Sequence, residues 1–181
     1  RNRYLSDSSE QTYSNTSGLY QSFFDFLQLL KQDPTFSRYP IVISDWNNTY
    51  HPRDYARDTC FMSSFIACTV QMLAGTQVQM LGFRSLCDVN EDFFPENRLF
   101  AGGPGLLDIH GLKKASYYTF VQLNQLGTRV YDKGANYILT EKDGTYQLLL
   151  FHVAFPLDYD EHLPSILSYE QRYDCYGNVP D

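Results

Sequence analysis

Apolar residues recur at helical spacing through Leu19, Phe23, Phe26, Leu27 and Leu30, and Ser17 or Gly18 suits the N-cap of the helix they predict. Asp33-Pro34 closes that helix, because the residue before a proline avoids the helical region. Pro40 introduces a short apolar run, Ile41-Val42-Ile43, which ends at Ser44-Asp45-Trp46-Asn47. A charged loop over 47–57 leads to a second helix over 58–74. Asp58 or Thr59 is placed to cap it, and Phe61, Phe65, Cys68 and Met72 form its core stripe. Val78–Leu86 is a second apolar strand, ending near Cys87-Asp88. A long loop follows, with Glu91, Asp92 and Glu96 and then the run Gly102-Gly103-Pro104-Gly105. Lys113–Leu126 reads as a third helix, stopped by Gly127 at the position a left-handed cap prefers.

Beyond Gly127 the period changes to two. Tyr137–Glu141 and Tyr146–His152 flank Lys142-Asp143-Gly144-Thr145, a hairpin signal. The acidic, Tyr-rich stretch 156–181 carries no assignable pattern, and 1–17 reads as a polar loop or frayed end. Helix, strand, helix, strand, helix, then antiparallel strands predicts an α/β-plus-β chain. Residues 1–127 are expected to form the C-terminal portion of a TIM (β/α)8 barrel, its last two strands and their helices. Residues 128–181 are expected to form part of a small antiparallel β-sandwich with an acidic tail.

Length changes this picture little, since 181 residues suit one good-sized domain. Charge narrows the partners. A net charge of −7, with no basic run beyond Lys113-Lys114, leaves no electrostatic footprint for nucleic acid or an anionic membrane through this segment. No apolar run reaches membrane-spanning length. Cys60, Cys68, Cys87 and Cys175 fit no metal spacing, and the four His do not either, so neither a metal nor another cofactor is expected. Two of the thiols fall within an apolar helix, which points to buried free thiols in a reducing, cytoplasmic compartment. The chain opens without Met and without a signal peptide, and reads as a piece of something longer.

Asp45 carries the chemical expectation. In barrels of alternating strands and helices, residues at the C-terminal ends of strands do the chemistry. A carboxylate beside an aromatic plane also suits a sugar, because the ring covers C–H faces while the carboxylate meets hydroxyls or a developing oxocarbenium ion. Trp46 serves equally well at the edge of a core, and Asn47 either orients Asp45, holds a sugar hydroxyl or turns the chain. Arg84 beside Asp45 would hold that carboxylate ionised, although pairing with Asp88 or Glu91 is the plainer reading. The run Gly102-Gly103-Pro104-Gly105 lacks the lysine of a phosphate loop and reads as a tight structural turn.

From Ile41 to about Phe151 the chain resembles the C-terminal part of glycoside hydrolase family 39, the β-xylosidase-like enzymes. The segments that carry the resemblance are Ser44-Asp45-Trp46-Asn47, Asp58-Thr59, Asp88 with Glu91-Asp92, Phe100–Leu106, Gly111-Leu112-Lys113-Lys114 leading to Tyr117-Tyr118, and Leu126-Gly127. Ile138–Thr140 and Asp143-Gly144 extend it into the hairpin. The resemblance implies a TIM barrel with an attached β-sandwich, and retaining hydrolysis by a nucleophile and an acid/base carboxylate. It places Asp45 at the nucleophile position, with Trp46, Asn47, Arg84, Asp88 and Glu91 as substrate-binding positions. The acid/base belongs to the fourth strand, upstream of Arg1. Several residues depart from the family pattern: Asp45 stands for Glu, Arg84 for a sugar-facing Trp, Ala101 for His and Pro104 for an aromatic. A shorter nucleophile alone can cost on the order of 10²-fold in rate. Such a pattern is similar to the degenerate domains inside AraC-type transcription regulators. It implies a sugar-binding or assembly module, taking a pentoside or β-glycoside, in a larger bacterial protein. The alternatives are an active retaining β-xylosidase using Asp45, and a ligand-free structural remnant. Two barrel strands alone would leave a parallel edge open, which implies self-association or packing against the missing barrel half.

Overall fold

The structure is a computed structural model, and it describes residues 16–48, 54–88 and 99–153. The opening helix, α1 (Thr16–Gln32), is longer at both ends than its apolar stripe suggests. Leu27 is buried, whereas Phe26 is 56% exposed. Adjacent residues lie about 100° apart on a helix, so burying Leu27 turns Phe26 outward.

Strand β1 (Ile41–Trp46) and strand β2 (Val78–Phe83) pair in parallel, with helix α2 (Cys60–Leu73) between them in sequence. Ile41 pairs with Val78, Ile43 with Leu81 and Trp46 with Phe83, and the register shifts between Ile43 and Trp46. That irregularity breaks the alternation of the strand, so Ser44 and Asp45 are both exposed. Val42 and Met80, partners across the two strands, are both more than half exposed.

Helix α2 is buried on most of its surface. Met62, Phe65, Ile66, Ala67, Cys68, Thr69, Gln71 and Leu73 are all shielded, while Met72 faces outward. The single stripe read from the sequence therefore understates it, because elements pack on several sides. Helix α3 (Ala115–Leu123) packs beside it, and strand β4 (Tyr137–Lys142) also touches it. Met62, Phe65 and Ile66 form the centre of the core, against which Trp46, Phe61, Phe83, Phe120, Leu123 and Val153 pack. Residues from both strands, two helices and Val153, close to the end of the described chain, thus share one apolar cluster. Cys60, at the first position of α2, is exposed, in contrast to the buried thiol expected there; Cys68 is buried.

Strands β3 (Arg129–Gly134), β4 and β5 (Thr145–Leu150) form an antiparallel meander in the order β3-β4-β5. The β4–β5 turn is the Asp143-Gly144 pair, both at positive φ (52° and 76°). This is the mirror-image turn that matches strand twist, and Gly meets its second position without strain. Lys133 on β3 donates from Nζ to the Gln71 and Ala74 carbonyls at 3.0 and 2.7 Å. A cation there satisfies orphan carbonyls at the C-terminus of α2 and joins the meander to the helical layer. The meander is the only antiparallel sheet among the described residues, the other sheet there being the parallel β1–β2 pair, and the tail 156–181 lies outside them.

Candidate functional site

The parallel pairing of β1 and β2 brings their C-terminal ends side by side. Trp46 lies opposite Phe83, and the Arg84 amide donates to the Trp46 carbonyl at 3.0 Å. Asp45 and Arg84 consequently meet: Asp45 Oδ2 lies 3.7 Å from Arg84 Nη1, with the side chains 58% and 56% exposed. So loose and solvated a pair contributes less than about 1 kcal/mol to stability. It presents an acceptor and a donor together at the rim. Arg84 was expected to pair with Asp88 or Glu91; instead its partner is Asp45, since Asp88 is turned inward. Glu91 lies outside the described residues.

Trp46 lies at the core edge. Its ring stacks on Phe65 at 5.4 Å with an interplanar angle of 11°, and meets Phe83 edge-on at 5.8 Å. The indole thereby anchors the end of β1 to α2. Asn47 is occupied with the frame. Its Nδ2 donates to the Arg84 carbonyl and to the Pro104 carbonyl, the latter at 3.1 Å. Its Oδ1 accepts from Arg57 Nε at 3.2 Å and from the Asn48 amide at 2.8 Å. One side chain therefore ties together the ends of both strands, the loop after β2 and the turn before α2.

Behind this rim lies a buried polar layer. Asp54 opens a 3-10 turn over Tyr55–Asp58, accepting from the Ala56 amide through Oδ1 at 3.1 Å and from Asn48 Nδ2 through Oδ2 at 3.1 Å. Arg57 donates from Nε to Asn48 Oδ1 at 3.0 Å and from Nη1 to the Gly102 carbonyl at 3.4 Å. Asp58, expected as a possible helix cap, points inward instead, and Thr59 occupies the N-cap of α2. Lys114 is completely buried, with Nζ 2.7 Å from Asp58 Oδ1, 2.6 Å from Asp88 Oδ2 and 3.0 Å from the Gly103 carbonyl. Burial pushes the Asp58 carboxyl above the usual carboxylate range. The Lys114 ammonium and the Gly102 amide pull the other way, and the like charge of Asp88 adds a smaller upward push.

The same carboxylates hold the glycine-rich loop. Asp58 Oδ2 accepts from the Gly102 amide at 2.6 Å, and Asp88 Oδ1 accepts from the Gly105 amide at 2.7 Å. A Cβ at Gly103 would fall on the Asp88 carboxylate, so the approach requires glycine there. Asp88, expected among the ligand-binding residues, is 7% exposed and committed to Lys114 and Gly105. Both of its oxygens are thus engaged within the chain, one by the Lys114 ammonium and one by the Gly105 amide. Lys114, Asp54 and Arg57 were not singled out from the sequence. The signal that pointed toward them was the combination of a glycine run with charged residues at the starts of two apolar helices. Among the described residues, no group of three or more His, Cys, Asp or Glu side chains is placed to hold a metal ion. No helix among them is long and apolar enough to cross a membrane.

Residues 6–147 match the family described as glycosyl hydrolases family 39. A β-xylosidase of Geobacillus stearothermophilus is 27% identical over 136 residues, covering 75% of this chain and 27% of that protein. A β-xylosidase of Caldicellulosiruptor saccharolyticus is 33% identical over 92 residues, covering 50% of this chain and 19% of its own length. The chain therefore spans only about a quarter of the curated relatives it matches. Among solved structures, a monomeric β-xylosidase from Caulobacter crescentus CB15 superimposes with a TM-score of 0.64 at 18% identity. That alignment covers 82% of this chain and 31% of that one. A family 39 enzyme from Xanthomonas axonopodis pv. citri gives a TM-score of 0.61 at 20% identity, over 88% and 31% of the two chains. At these identities the likeness is one of fold.

Proposed function

The chain belongs to glycosyl hydrolases family 39, and on that premise we propose that its strand ends form part of a sugar site that binds without turning over. In this reading residues 1–127 are the C-terminal portion of a (β/α)8 barrel and 128–181 part of an accessory β-sandwich. Asp45 occupies the nucleophile position. The observation that carries the proposal is the Asp45–Arg84 pair at the rim. A carboxylate accepting from one sugar hydroxyl and a guanidinium donating to its neighbour grip a vicinal diol, using the complementary donor and acceptor sets of the two groups. A nucleophile engaged with a cation, and one methylene shorter than the family's Glu, is poorly placed to reach an anomeric carbon.

Trp46, Asn47, Asp88 and Glu91 entered as ligand-binding candidates. The geometry supports the first three as the frame of the site, while Glu91 lies outside the described residues and stays a candidate from the sequence alone. The ligand is a pentoside or another β-glycoside, a reading supported by the name β-xylosidase that both curated relatives carry. The module belongs to a larger bacterial protein, where a sugar-responsive regulator is the setting that fits loss of catalysis. Exposed Val42 and Met80 on the parallel pair support packing against the rest of a barrel or against a second copy, which sedimentation of the chain would resolve.

The second reading, an active β-xylosidase, is favoured by the names of the same relatives. Incubation with an aryl β-xyloside, alongside Asp45→Ala, separates the two. The proposal expects no phenol release from either protein. Turnover that disappears with Asp45→Ala establishes the enzyme.

A further inference from the structure

We propose that Lys114 is a positioning residue for the sugar site: its buried ammonium fixes the 102–105 loop, and through that loop the ends of β1 and β2. The inference rests on the sugar-site reading and names what holds that site in shape. Lys114 touches no rim residue. It bonds to the Gly103 carbonyl and to Asp58 and Asp88, whose other oxygens take the amides of Gly102 and Gly105. Both ends of the loop and its centre thus converge on one cation. The adjacent Pro104 carbonyl accepts from Asn47, and the same Asn47 amide group binds the Arg84 carbonyl. Arg84 in turn pairs with Asp45.

The route is contiguous: Lys114, loop, Asn47, Arg84, Asp45. Each link is a hydrogen bond or an ion pair, and Lys114 and Asp88 are shielded from water, where such bonds hold geometry most firmly. Asp58 faces Lys114, Asp88 and the Gly102 amide, so two carboxylates share one ammonium. If the cluster served stability alone, replacing it by neutral groups of the same shape would be harmless. If it positions the site, the same replacement loosens the loop even when the fold survives.

The test uses the intact protein, with methyl β-D-xyloside as the probe. Lys114→Met strands two buried carboxylates and risks unfolding, so the deciding variant is the neutral triple Asp58→Asn, Asp88→Asn, Lys114→Met. Its Asn oxygens still accept from Gly102 and Gly105. Folding is verified by an unchanged far-ultraviolet circular dichroism spectrum and a cooperative thermal transition. Expected are faster hydrogen exchange at the Gly102 and Gly105 amides and an affinity lower by about tenfold, the equivalent of one hydrogen bond to the ligand. A folded triple variant with unchanged exchange and unchanged affinity overturns the proposal. Absence of binding by the wild type sinks the sugar reading instead, and amide exchange then decides the role of Lys114 by itself.

Discussion

Replacing Lys114 with Met removes the only positive charge within reach of the Asp58 and Asp88 carboxylates that the described contacts provide. Lys114 is fully buried, and its two partners are 7% and 6% exposed at their side chains. Removing one partner of a buried ion pair costs about 3–5 kcal/mol, because the remaining charge can neither reach water nor find a substitute. Here two charges are stranded, but each keeps one backbone amide, from Gly102 or Gly105. Those bonds offset part of the second penalty, so the same range of about 3–5 kcal/mol stands. For a chain of this size that is a fall in melting temperature of about 6–20 °C. Urea unfolding followed by Trp46 fluorescence measures it, since Trp46 stacks on Phe65 at the core edge and is the only Trp. The deficit should shrink as pH falls, because protonated carboxyls no longer need a counter-charge. A loss below about 1 kcal/mol at neutral pH would refute the reasoning, since it would mean that solvent already screens the cluster.

Three further outcomes follow from particular contacts. Burial raises the Asp58 pKa, so the native state holds its proton to higher pH than the unfolded chain does. The stability this provides is fully present below the ordinary value of 3.8 and is lost as pH rises through the raised value. Asp58→Asn should flatten that slope in urea midpoints collected across the acidic range, and an unchanged slope would contradict the assignment. Phe65→Ala should cost about 3–5 kcal/mol and shift Trp46 emission, since it deletes the centre of the core and the ring beneath the indole. A normal emission spectrum in a destabilised variant would contradict the stack. Gly144→Ala, at a φ of 76°, should destabilise the β4–β5 hairpin by about 1 kcal/mol, measurable by thermal unfolding; no loss would argue against the mirror-image turn.

How far the sequence led depended on how local each signal was. The Asp143-Gly144 turn was legible because its chemistry lies in two adjacent residues. The order helix, strand, helix, strand, helix was legible from periodicity. Strand β3 was not recognised: Arg129–Gly134 is nearly all exposed and bulged between Val130 and Asp132, so no alternation marks it. The third helix was drawn too long at its start because Lys113 pairs with Leu107 in a bridge while Lys114 serves as N-cap. At its other end, Asn124 is the C-cap, three residues before Gly127. The first strand was drawn too short, and Asp45 and Trp46 are its last two residues. At the site, Asp45 and Arg84 were both named, and parallel pairing of the strands brings them together. The Asp58–Lys114–Asp88 cluster stayed hidden, because its members are far apart in the chain and each has an ordinary local role: cap, loop acid, surface lysine. Only tertiary burial separates Lys114 from its exposed neighbour Lys113.

The most direct measurement of the central claim is a calorimetric titration of methyl β-D-xyloside into the intact protein and into its Asp45→Ala and Arg84→Ala variants. Saturable binding by the wild type, weakened at least about tenfold in both variants, is the expected result. Binding that both substitutions leave intact, or no binding by the wild type, would contradict a sugar site built on the Asp45–Arg84 pair.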